Sequence, residues 1–121
     1  MTKAKWKSLI LAQMAALDIQ KDMYDPAIET LAGILEQRDK TFKEFKFSGG
    51  RSVIEYTNKG GSTNMTKNPL LILWGDLNKS ALAYWRELGL TPSSYKRMTG
   101  DTPKKEKPGG LAAALASLET G

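Results

Sequence analysis

The run from Asn68 to Met98 constrains this chain more than any other stretch, because it carries a helix start, a long apolar periodicity and a helix stop in register. Asn68 has a side chain suited to capping, and Pro69 stands at the first helical position, where its missing N–H removes a donor that has no partner anyway. From there Leu70, Trp74, Leu77, Ala81, Tyr84 and Leu88 recur at alternating spacings of four and three, a heptad-like stripe. A second apolar line, Leu71, Leu82 and Trp85 with Gly75 between, lies beside the first. A face that wide needs two partners: one line for the subunit's own helices and one for another surface. Gly89 ends the helix, and Thr91 with Pro92 opens a short one that runs to about Met98.

The remaining elements follow from the same signals. Between Lys3 and Leu17 the residues Trp6, Leu9, Ile10, Met14 and Leu17 fall at helical spacing, placed opposite Lys3, Lys7 and Gln13. Asp18 to Tyr24 reads as a polar connector. Asp25 then caps a second helix with Pro26 at its first position, and the stripe Ile28, Leu31, Leu35, Phe42 and Phe45, interrupted by Arg38, carries it to about Phe45. Ser48-Gly49-Gly50 stops it, and the two helices are expected to form an antiparallel pair. Ser52 to Thr57 and Ser62 to Thr66 flank Asn58-Lys59-Gly60-Gly61 and predict a β-hairpin. A lone two-stranded hairpin is marginal, so it is expected to lie against a helix or a neighbouring subunit. The fold class is therefore mainly α: an antiparallel helical hairpin, a small β-hairpin, a long helix and a short C-terminal helix.

Residues 1–99 read as one domain and 100–121 as a linker and tail. Gly100 to Gly110 contains two prolines, three glycines and no apolar residue. Beyond it Leu111, Leu115 and Leu118 make one apolar side of a segment too short to be a stable helix alone, the pattern of a piece that folds on a partner.

Composition narrows the chemistry. With 121 residues and 40% hydrophobic content, one small domain is the expectation, and oligomerisation would add the burial that a chain of this size lacks. The sequence has no Cys and no His, which removes disulfides, thiolate metal sites, and the commonest general base and metal ligand. No Gly-Lys-Ser/Thr stands before a helix, so an ATPase is disfavoured. Asp18, Asp22 and Asp25 sit where carboxylates serve helix ends. Neither a cofactor nor a metal is expected. No apolar run is long enough to span a bilayer, which predicts a cytosolic protein. A net charge of +5 favours an anionic partner, nucleic acid before membrane. Lys3, Lys5 and Lys7 form the densest positive stretch before Asp18 and are the first candidates for DNA contact. Lys40, Lys43 and Lys46, with Arg51 and Lys59, are secondary ones. For Lys40 and Lys43 the sequence favours helix-stabilising pairs with Glu36 and Asp39, four residues earlier. Trp74, Tyr84 and Trp85 could stack on bases, but their place on apolar helical faces assigns them to core or subunit interface.

The run Arg86 to Ser94, which contains Leu88-Gly89-Leu90-Thr91-Pro92-Ser93-Ser94 and is preceded by the Pro-initiated helix and a glycine-containing turn (Asn58 to Asn64), resembles the C-terminal signature of phage terminase small subunits. In that family a basic residue commonly follows the second serine. Here Tyr95 takes that place, ahead of Lys96 and Arg97. The resemblance is sharp from Asn58 to Met98, extends through the two N-terminal helices and is absent after Gly100. It implies a non-catalytic subunit that assembles into a ring in the cytoplasm of an infected bacterial cell. Such a subunit binds double-stranded viral DNA and recruits or regulates the terminase large subunit, which holds the ATPase and nuclease. On this reading Leu70, Leu71, Trp74, Leu77, Leu82 and Trp85 form the homo-oligomer interface, and Leu111, Leu115 and Leu118 dock the large subunit. The alternatives are a small phage or bacterial DNA-binding regulator, a structural virion adaptor without nucleic acid, and, behind these, a small enzyme. Solution mass separates a ring from a dimeric regulator, and salt-dependent DNA binding separates both from an adaptor.

Overall fold

A 23-residue helix, α2 (Asp25–Phe47), is the hub on which the other two long helices pack. The computed structural model describes residues 1–101. In chain order the elements are α1 (Lys3–Ala16), a single 3-10 turn (Asp22–Tyr24), α2, the strands β1 (Val53–Thr57) and β2 (Thr63–Lys67), α3 (Pro69–Glu87) and α4 (Pro92–Thr99), the last packing on α3. Residues early in α1 meet residues late in α2, as where the Lys3 amide donates to Glu36 Oε2 at 2.7 Å, so the pair is antiparallel. α3 reverses again: Trp74 stacks 5.4 Å from Phe42, while Arg38, one turn earlier in α2, reaches Asn78, one turn later in α3. The result is mainly helical, with three long helices running up, down and up and a two-stranded antiparallel hairpin inserted between the second and third.

The core gathers Trp6, Ile10 and Met14 of α1, Ile28, Leu31, Ala32 and Leu35 of α2, and Ala81, Leu88 and Leu90 from the α3 end. Gln13 is 4% exposed and belongs to this face, not to the opposite one expected for it. The reason is geometric: it stands seven residues after Trp6 and three after Ile10, on the same line of the helix. The connector after α1 is also less polar than expected, because Ile19 turns inward and joins the core. Asp25 does not cap α2. Tyr24 holds the N-cap position without a side-chain bond, since the 3-10 turn runs straight into the helix and leaves Asp25 already inside its first turn.

Each long helix ends the same way. At α1, α2 and α3 the amide two residues past the C-cap donates to the carbonyl of the third-last helical residue: Ile19 to Met14, Gly50 to Phe45 and Leu90 to Trp85. The residue between takes positive φ, which Gly49 and Gly89 adopt freely and Asp18 adopts at φ 55°. These corners turn Ile19 and Leu90 back into the core. Thr91 then caps α4 reciprocally with Ser94, whose side chain is buried. The Leu88 to Ser94 run is thus a helix-stop and helix-start joined end to end.

The hairpin is antiparallel with Val53 opposite Lys67 and Thr57 opposite Thr63. It packs on no helix to any extent, so the first of the two covers expected for it is absent. Buried Asn68 ties its base to α3: the Asn68 amide donates to Ser52 O, its side-chain amide donates to Arg51 O, and its Oδ1 accepts from Leu70 N. The tail segment with Leu111, Leu115 and Leu118 lies outside the described residues.

Candidate functional site

The lysines singled out in the sequence divide by the helical faces on which they stand. Lys3 and Lys7, one turn apart in α1, both reach Glu29 of α2, with Nζ–Oε distances of 2.8 Å each. The two donated hydrogen bonds, together with the charges behind them, hold the Glu29 carboxyl at about 2. The same carboxylate raises Lys7 above its ordinary value. These two lysines are therefore locally compensated. Lys5 lies on the other side of α1 and makes no ion pair among the described residues.

Lys5 instead shares an open groove of about 750 Å³ with Lys40, Lys43 and Lys46 of α2, together with Thr2, Glu36, Asp39 and Phe42. The groove's acids are turned to internal work. Asp39 Oδ2 accepts from the Trp6 indole at 2.7 Å and from the Met1 amine at 3.1 Å, while Oδ1 accepts from Arg38. Burial alone would raise the Asp39 carboxyl, but these three donors outweigh it and hold it below the ordinary range. Glu36 takes the Lys3 amide and sits 3.7 Å from Lys40, the pair allowed by their spacing; Asp39 makes no corresponding pair with Lys43. The Lys46 ammonium lies 5.0 Å over the Phe42 ring. Lys5 and Lys43 are left as exposed cations without carboxylate partners among the described residues. Such a surface can bind an anionic backbone, and it offers no nucleophile–base pair.

Arg51 and Lys59 are exposed but lie elsewhere, Arg51 at the hairpin base and Lys59 in its five-residue turn. That Lys5 faces away from Lys3 and Lys7 was available from helical spacing, since it stands two residues from each; its convergence with α2's lysines was not, because it depends on how α1 pairs with α2. The role of Glu29 was not, because it lies more than twenty residues along the chain.

Along α3, the interface residues inferred from sequence fall into two groups. Leu70, Leu71, Trp74, Leu77 and Trp85 are half-buried, with Trp74 against Phe42 and Trp85 against the core. Leu82 is exposed, and so are Ile72 and Leu73, which neither apolar line includes. Only Ala81 of this helix is fully buried. Among the described residues no helix is long and apolar enough to cross a membrane.

The family model described as phage terminase, small subunit, matches residues 2–105, nearly the whole described chain. The chain belongs to that family. The match spans all four helices and the hairpin, so every surface described above lies on the terminase small subunit framework. No curated protein and no solved structure matches the chain.

Proposed function

We propose that this terminase small subunit binds double-stranded viral DNA, assembles as a homo-oligomeric ring, and recruits or regulates the terminase large subunit during genome packaging in the infected bacterial cell. Terminase small subunits are generally non-catalytic, and a chain without His or Cys is suited to that role. The observation that carries DNA binding is the groove in which Lys5, Lys40, Lys43 and Lys46 converge, with Asp39 engaged by Trp6, Met1 and Arg38 and with Glu36 pairing only Lys40 among the four. These four lysines are the primary phosphate contacts, and Lys3, Lys7, Arg51 and Lys59 are further ones. Ring formation is supported by α3, whose apolar residues outnumber those it buries. Leu111, Leu115 and Leu118 are proposed to dock the large subunit, on the strength of their spacing.

The test is DNA affinity as a function of salt. Replacing Lys5, Lys40, Lys43 and Lys46 with alanine is expected to weaken binding by at least tenfold at low salt and to reduce the log–log salt slope by roughly 0.9 for each phosphate no longer neutralised. The double variant Lys3→Ala/Lys7→Ala is expected to have a smaller effect, because its lysines are already paired to Glu29. Unchanged affinity and slope in the quadruple variant would remove the groove from the DNA interface.

A further inference from the structure

The hairpin carries apolar side chains on both faces, and all of them except half-buried Ile54 are exposed. Strand alternation puts Val53 and Met65 on one side and Ile54 and Tyr56 on the other. Tyr56 and Met65 are 58% and 59% exposed, and no helix of the same chain packs against the ribbon. A two-stranded ribbon in that state is marginal in water, so two covers are wanted.

One receiving surface is present beside it. Between the hairpin base and the first turn of α3 lies a groove of about 410 Å³ with Val53, Leu71 and Ile72 as apolar walls and Ser52 and Lys67 at the edge. An aromatic ring with one polar tip matches this combination, since a buried tyrosine wants apolar contact for its ring and a partner for its hydroxyl. Tyr56 has that chemistry and is exposed. Yet Tyr56 cannot enter its own groove, because Val53, which walls it, stands on the opposite face of the same ribbon. The Asn68 bonds fix the base of that ribbon to α3. Knob and groove can meet only between two chains.

We propose that the Ile54/Tyr56 face of the hairpin docks into the hairpin–α3 groove of a second copy, with the Tyr56 ring between Val53, Leu71 and Ile72. The inference rests on the homo-oligomeric reading given above and names its contact. Each copy carries both halves, so the contact is head-to-tail and propagates until its rotation closes. The Ile54/Tyr56 face carries no charge along its strands, and therefore sets no like charge against Glu55 and Lys67 of the receiving face.

The natural chain has no cysteine, which makes directed disulfides a clean test. Mixing Tyr56→Cys chains with Ile72→Cys chains under oxidation is expected to give a covalent dimer, and the double variant a ladder of covalent oligomers. Neither single variant should cross-link by itself. By native mass spectrometry, Tyr56→Ser is expected to need at least tenfold higher concentration to assemble, whereas Phe47→Ser, at the most exposed aromatic, assembles as the parent does. Circular dichroism verifies that both variants keep the parent's helix content. If the Tyr56→Ser protein assembles normally and the mixed pair fails to cross-link, the contact is wrong and the homo-oligomeric reading survives. If Tyr56→Cys chains cross-link only among themselves, or if Phe47→Ser disperses the assembly, a different contact holds the copies. A parent protein that stays monomeric at every concentration would overturn both readings.

Discussion

At Gly89 the backbone φ is +76°, and a Cβ built there would come within 2.5 Å of the Met98 sulfur. Gly89→Ala therefore combines a left-handed conformation with a displaced methionine, and should lower the unfolding free energy by about 1–2 kcal/mol. Asp18 holds the equivalent position after α1 at φ 55°; Asp18→Gly should change stability in the opposite direction, by less than about 1 kcal/mol. Denaturant titration of the pair reads both signs. Glu29 is a second residue-scale case. Its carboxyl is held at about 2 by Lys3 and Lys7, so the ionised form is favoured in the folded chain. The stabilisation is present above the ordinary carboxylate range and is lost as pH falls toward 2. The difference in melting temperature between the parent and Glu29→Gln should shrink over that interval; a constant difference down to pH 2 would dissociate the shift from stability. The glycine stop at Gly89 and the Thr91-Pro92 start were legible because they are local. The Glu29 clamp and the burial of Ile19 depend on which helices become neighbours, and no nearby residue announces either.

Among the elements, apolar content and burial are inverted. α3 has the stronger apolar pattern, yet α2, with charged residues interrupting its stripe, lies at the centre and buries six residues: Ile28, Leu31, Ala32, Leu35, Thr41 and Phe45. Leu35→Ala should cost about 2–5 kcal/mol because it opens a cavity at the hub. Leu82→Ala on exposed α3 should cost under about 0.5 kcal/mol in the monomer. Equal costs in chemical denaturation would contradict this ordering of the helices. The sequence conveyed the existence and bounds of the helices well, with α2 running two residues beyond the expected Phe45. Hierarchy was not conveyed: a helix flanked on two sides needs less hydrophobicity per face than its rank suggests, and α3's surplus is visible only once its neighbours are placed. Gln13 was misassigned for a related reason, since polarity was read before position on the wheel.

For the molecule as a whole, the candidate DNA surface and the candidate assembly surface occupy different parts. Lys5, Lys40, Lys43 and Lys46 gather where α1 begins and α2 ends, whereas the hairpin and outer α3 carry the uncovered apolar side chains. The family resemblance agrees with the family match over residues 2–105, and the mainly helical class was readable from the chain because periodicity is encoded locally. The division of the basic residues into compensated and free sets was not, since it arises from the pairing of α1 with α2. Asn68 gives this layout a mechanical property. Its bonds to Arg51, Ser52 and Leu70 tie the hairpin's entry and exit to the first turn of α3. A displacement of the hairpin base is therefore shared with the first turn of α3, one turn before Trp74.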